Sequence, residues 1–300
     1  MRATAARTAF VAALLMMSTT AFANTYIIHL SGMCSKDWTG GSGLTPGGAG
    51  SSSNGGIKGL ANAWSGTMIN AQVDQTQGSL SVASSQLVTI LNNYCSGSDN
   101  CWIYNYSAGD LVLGYTFAHS PTSWNVTSVR TAAGAAGGSN LAGTIASAVA
   151  CSFANNLTES AARNAYTHDY GYNTGTTIYR TGGHKQMTIS NVACVAGSAI
   201  NFLSFGLISG GTCLESHNDG AVAYQSSGGY NNNGDYQNFW LSSDPSGSHW
   251  YSHASYWVTG SSDVGDNLNH YNEKGWLVCM DGGFSGLSGY TNCFNWAATQ

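Results

Sequence analysis

The chain has 300 residues, with 9 Lys or Arg, 14 Asp or Glu and a formal net charge of −5; only 8% of it is charged. So few basic side chains cannot neutralise a run of phosphates, which argues against nucleic acid as a partner. The length suffices for a single α/β domain with a large core, and its polar surface must come from Ser, Thr, Asn, Gly and Tyr.

The chain opens with Arg2 and Arg7, an apolar run over 9–17 and the A-x-A pattern Ala21-Phe22-Ala23, which read as a secretory signal over residues 1–23. Its apolar stretch is too short to cross a bilayer. The expectation is therefore an exported chain, extracellular or periplasmic, with no integral membrane segment once the signal is removed. The signal holds two of the nine basic residues and none of the acidic ones, so the remainder carries seven against fourteen. Residues 24–300 are expected to form one domain.

Residues 26–30 (YIIHL) run directly into Ser31-Gly32 and read as a buried strand ending in a tight loop. Residues 39–56 are almost all Gly, Ser, Thr and Pro, an irregular surface loop. Over 84–94, Leu87, Ile90 and Leu91 recur at helical spacing. Residues 102–104 read as a strand, 111–117 as a buried helix weakened by Gly114 and Thr116, 126–133 as a strand and 141–154 as a small-residue helix. Residues 155–185 are polar and Tyr-rich without a period, 186–195 alternate as a strand would, and 276–280 form a late apolar segment. Residues 144–190 are a candidate cap or lid insertion. Strands alternating with helices predict a mainly parallel central sheet with helices on both faces, joined by long Gly/Ser/Asn-rich loops.

All eight cysteines follow the signal, where oxidation to intramolecular disulfides is expected. Cys95 with Cys101, Cys194 with Cys213 and Cys279 with Cys293 are sequence neighbours, leaving Cys34 with Cys151; this is one of 105 pairings that eight cysteines permit. No C-x-x-C pair or thiol–imidazole cluster of zinc spacing occurs, and the scattered Asp and Asn do not spell a calcium loop, so no metal site is expected.

The segment Asn105-Tyr106-Ser107-Ala108-Gly109 falls between a predicted strand and a predicted helix. A serine there projects from a sharp turn, its hydroxyl free to attack and the N–H of Ala108 directed at a developing oxyanion. The turn demands small or tolerant neighbours, and Gly109 and Asn105 answer that demand. The alternative is an ordinary serine at a strand end.

Four stretches in chain order carry a resemblance to the secreted lipases and esterases of the α/β-hydrolase superfamily. Residues 27–33 (IIHLSGM) followed by Trp38 resemble that family's first core strand and H-G oxyanion loop, with Ser31 in place of the His. Residues 105–109 resemble its G-H-S-x-G elbow, and 134–142 (GAAGGSNLA) its G-T-P-H-x-G-S-x-L-A segment without the Pro and His. Residues 218–227 (NDGAVAYQSS) resemble its N-D-G-x-V-P-x-x-S acid stretch. The resemblance implies an α/β-hydrolase fold, an ester or lipid substrate, and an oxyanion hole from the N–H groups of Met33 and Ala108. It also implies a Ser-acid-His triad of Ser107, Asp219 and His270.

A serine hydroxyl needs an imidazole to take its proton, and the imidazole needs a carboxylate to fix its tautomer. In this fold the acid precedes the histidine in the chain. Asp219 stands in an N-D-G turn, where a carboxylate capping its own loop is the competing reading, and Asp244, Asp263 and Asp266 are its rivals. Three histidines follow the first of these: His270 in a polar loop before the late apolar segment, and His249 and His253 among Trp250, Tyr251, Tyr256 and Trp257, where aromatic packing competes. Acyl transfer through such a triad needs no cofactor. Two other readings stand beside ester hydrolysis. Sixteen Tyr and nine Trp would suit an exported carbohydrate-binding or adhesion module, and the same triad would serve a serine peptidase or acyltransferase.

Overall fold

The computed structural model describes residues 23–33, 48–50, 67–120, 124–143, 146, 151–166, 177–181, 194–195, 199–201, 207–209, 212–213, 221–222, 226, 249–251 and 270. Its centre is a seven-stranded sheet: β1 (Thr25–Leu30), β2 (Gly48–Gly50), β3 (Thr67–Gln72), β4 (Asn100–Tyr106), β5 (Val126–Ala132), β6 (Thr177–Thr181) and β11 (His249–Tyr251). In space the order is β11-β6-β5-β4-β1-β3-β2. Every neighbouring pair is parallel except β2 with β3 at the edge. Two small antiparallel pairs lie apart from it: β7 (Cys194–Val195) with β10 (Thr212–Cys213), and β8 (Ala199–Asn201) with β9 (Leu207–Ser209).

The strands carry the apolar residues expected of a sheet covered from water. Ile28, Leu30, Ile69, Ala71, Ile103 and Val129 face the main core, with α1 (Leu80–Tyr94) and α2 (Ala108–His119) packed on them. α1 buries Leu80, Ala83, Ser84, Leu87, Ile90 and Leu91, a stripe at 3- and 4-residue intervals. α2 is buried almost all round, including Leu111, Val112, Leu113 and Phe117. Thr116 and Gly114, which weaken it as an isolated helix, serve its packing. The Thr116 hydroxyl bonds that of Ser84 on α1 at 3.0 Å, and a Cβ on Gly114 would lie 2.1 Å from the Tyr166 hydroxyl. A 3-10 turn (Ser152–Leu157) and the short α3 (Glu159–Asn164) close the same core through Phe153, Leu157 and Ala162. The opposite face of the sheet, with Ile27, His29, Asn70 and Tyr104, is buried as well.

The expected α/β architecture, a mainly parallel sheet with helices, is what the chain adopts, and the details differ where local signals mislead. α1 begins one turn earlier than its apolar spacing predicts, because Ser79 caps it by accepting from the Val82 N–H. The small-residue helix predicted for 141–154 gives way at its end to the 3-10 turn, since Cys151 and Ser152 lie outside any α-helical stretch. Strand β2 lies within the loop predicted over 39–56, and β6 in the stretch read as aperiodic. β3 (TMINAQ) escaped the sequence reading because its polar residues Asn70 and Gln72 break the alternation, yet both are buried. Cys95 and Cys101 form a disulfide that joins the end of α1 to the start of β4. Cys151 is also disulfide-bonded, and Cys194 stands directly opposite Cys213 in the β7–β10 pair. Cys34, Cys279, Cys293, the signal and the apolar segment 276–280 lie outside the described residues. Among those described, no helix is long and apolar enough to cross a membrane.

Candidate active site

The strand order positions the site. The chain runs outward from β1 to β3 and then crosses back through α1 to β4, β5 and β6 on the other side. The carboxyl ends of β1 and β4 therefore flank the point where the winding reverses, the crevice in which open α/β sheets hold their ligands. Ser31 and Gly32 follow β1, and Ser107 follows β4.

Ser107 links the last residue of β4 to the first of α2 with φ 54° and ψ −123°, a region of backbone space that non-glycine residues rarely enter. Two hydrogen bonds to the end of β5 and beyond hold it there. The Ser107 N–H donates to the Ala132 carbonyl at 3.2 Å, and the Ala135 N–H donates to the Ser107 carbonyl at 3.0 Å. The turn also needs room. A Cβ on Gly109 would come within 2.8 Å of the Ser31 carbonyl oxygen and 2.9 Å of that of Leu30. A Cβ on Gly32 would meet the Ser107 Cβ at 3.0 Å. Both glycines let the end of β1 and the start of α2 approach at the serine.

The tolerance for strained backbone that Asn105 offers is not drawn on: Asn105 is an ordinary residue of β4, and the positive φ falls on Ser107 itself. Its side chain is fully buried, and neither of its polar atoms has a hydrogen-bond partner among the described residues.

His270, itself buried, brings its Nε2 to 2.9 Å from the Ser107 Oγ across 163 positions of sequence. This is hydrogen-bond reach for a general base and a nucleophile. The residue before the serine, Tyr106, donates from its hydroxyl to the His270 carbonyl oxygen at 2.8 Å. Met33, partly buried, follows Gly32 on the loop beside Ser107, and Ala108 is the first residue of α2, where helical N–H groups lack intrahelical partners. Gln75, which the sequence reading did not single out, supports that loop: its Nε2 donates to the Ser31 carbonyl at 2.7 Å. Nothing in the residues between 73 and 79 marks this in advance, since the contact exists only because β3 ends beside β1.

Asp219 lies outside the described residues, as do Asp244, Asp263, Asp266 and His253. His249 is the first residue of β11, at the far end of the sheet order from β1 and β3. Just past Asp219 the chain is tied down. The Ser139 hydroxyl donates to the Ala221 carbonyl at 2.5 Å, and the Gly137 N–H donates to that of Ser226 at 3.3 Å. Ser139 and Gly137 of the segment 134–142 thus hold Ala221 and Ser226. Elsewhere on the sheet, His29 pairs with Asn70 through Nδ1 at 3.1 Å. Complete burial lowers its pKa from 6.5 to about 4, with the Asn70 bond opposing the shift, so it stays neutral inside the sheet.

No protein-family model matches the chain, and no curated protein matches it. Solved structures similar to it include a metagenomic carboxyl esterase (11% identity, TM-score 0.42, covering 55% of this chain and 51% of that one). They also include a Bacillus licheniformis lipase in its mature form (15% identity, TM-score 0.42, covering 68% of this chain and 79% of that one). The same lipase in its propeptide form is similar at 14% identity and a TM-score of 0.38, covering 68% of this chain and 43% of that one. The chain thus spans about half the length of the first of these.

Proposed function

We propose that this chain is an exported serine hydrolase that cleaves carboxylic esters through Ser107, His270 and Asp219. One observation carries the reading: a hydroxyl on a strained strand-to-helix turn lies 2.9 Å from a buried imidazole nitrogen. Strained backbone of this kind costs energy and is concentrated at active sites, which supports the reading alongside the imidazole contact.

In this reading His270 Nε2 takes the proton as the Ser107 oxygen attacks the ester carbonyl. The carbonyl oxygen becomes an anion that the N–H groups of Ala108 and Met33 stabilise. The imidazolium then gives its proton to the departing alcohol, leaving an acyl-serine. Water, deprotonated by the same imidazole, attacks this ester, and the acid leaves as Ser107 is restored. Asp219, following the serine and preceding the histidine in the chain, is the carboxylate proposed to orient His270 and offset its positive charge. The reaction conserves protons without a cofactor.

A p-nitrophenyl ester series and an active-site-directed organophosphonate test this directly. The phosphonate is expected to label Ser107, and Ser107→Ala and His270→Ala are each expected to lower kcat by roughly 10⁴-fold or more. Retained turnover in Ser107→Ala, or labelling elsewhere, would overturn the proposal. Comparing ester with amide substrates separates this activity from that of a peptidase.

A further inference from the structure

Tyr106 touches the candidate base in two ways. Its hydroxyl donates to the His270 carbonyl oxygen at 2.8 Å, and its ring lies with its centroid 5.1 Å from that of the imidazole, the planes inclined at 42°. It is also the last residue of β4, which is hydrogen-bonded to β1 on one side and β5 on the other. The side chain that grips His270 therefore springs from the middle of the sheet, one peptide bond from Ser107.

We propose that Tyr106 is a positioning residue that keeps the His270 imidazole in register with Ser107. The proposal rests on the reading of Ser107 and His270 given above. Nucleophile and base stand 163 positions apart in the chain, and proton transfer tolerates misplacement of only about half an ångström. Fixing the His270 carbonyl to the residue that precedes the nucleophile removes the independent movement of the two groups. The ring contact adds to that fixing: with its centroid 5.1 Å away, the Tyr106 ring limits rotation of the imidazole while the O–H bond of Ser107 breaks and the Nε2–H bond of His270 forms.

Tyr106→Phe and Tyr106→Leu separate the two contributions, since phenylalanine keeps the ring and loses the donor while leucine loses both. Each variant is assayed with p-nitrophenyl esters for kcat and KM, and for the rate of Ser107 phosphonylation; thermal unfolding reports the folded fraction. Tyr106→Phe is expected to lower kcat and the phosphonylation rate roughly threefold to tenfold, the effect of one hydrogen bond, with KM changed less than twofold. Tyr106→Leu is expected to lose more, because His270 then lacks the ring contact as well as the hydrogen bond to its carbonyl. Should Tyr106→Leu fold poorly, Tyr106→Phe decides. Wild-type kcat and phosphonylation in Tyr106→Phe, or a loss that only tracks its folded fraction, would overturn the role. Ser107→Ala and His270→Ala run alongside. If they lose turnover while the Tyr106 variants keep it, only the positioning role falls; if they keep it, both readings fall.

Discussion

The backbone at Ser107 bends through φ 54°, a conformation that costs a non-glycine residue roughly 1–3 kcal/mol and persists only where its surroundings over-determine it. Here the surroundings are the Ala132 carbonyl and the Ala135 N–H, which clamp the serine's own peptide groups to the end of β5. The small residue two places on, Gly109, was readable in the sequence because any such turn needs it. That the Asn105 amide finds no partner among the described residues was not, because satisfaction of a buried group depends on neighbours from other strands. His29 offers a second test at this scale. Its pKa in the folded chain is lowered to about 4 against 6.5 unfolded. Above pH 6.5 neither state holds the proton and the group has no effect on stability. As pH falls from 6.5 towards 4 the unfolded chain binds the proton first, so stability drops, by roughly 3 kcal/mol over the window. Urea unfolding at pH 7.5 and 4.5 should show that drop in the wild type and a flatter response in His29→Gln; equal slopes in both would count against it.

At the level of elements, the start of α2 is pressed against the end of β1. The carbonyl of Ser31 meets Gly109 on one side and accepts from Gln75 on the other. A methyl at Gly109 has backbone oxygens at 2.8 and 2.9 Å as its nearest neighbours, and neither can rotate away. Gly109→Ala should therefore push α2 from β1, with an overpacking cost of about 1–3 kcal/mol, and carry Ser107 with it. Denaturant midpoints together with the phosphonylation rate would register both; an unperturbed rate would mean that the turn does not depend on this contact. α1 was legible from apolar spacing and α2 from its continuous apolar run, because one buries a stripe and the other nearly its whole surface. β3 and β6 were not. β3 buries Asn70 and Gln72 within the sheet, and a strand of five or six residues offers too few positions for a period to show through such substitutions.

Across the whole molecule, loop 134–142 joins parts of the chain that the sequence keeps far apart. The Ser139 hydroxyl reaches the Ala221 carbonyl 82 positions away, two residues beyond Asp219, and Gly137 lies so close to Ser226 that a Cβ would approach its Cα to 2.8 Å. Ser139→Ala would remove the hydroxyl that donates to the Ala221 carbonyl, at a cost of about 1 kcal/mol for the lost hydrogen bond. It should also lower kcat if the segment after Asp219 then shifts. Thermal unfolding and ester turnover would measure the two effects, and an unchanged midpoint would show that the tether carries no load.

What the amino-acid order determined by itself is local. A strand, a serine and a helix follow one another with glycine two places after the serine, and two cysteines six apart close the turn before that strand, because each feature is settled within a dozen residues. Which histidine comes to the serine, and that Tyr106 grips it, was decided only when the sheet assembled. That contact spans 163 positions, and no local spacing ranks His270 above His249 or His253. The chain's reversal between β1 and β4 brings the ends of those strands together, and with them Gly32, Ser107 and Tyr106.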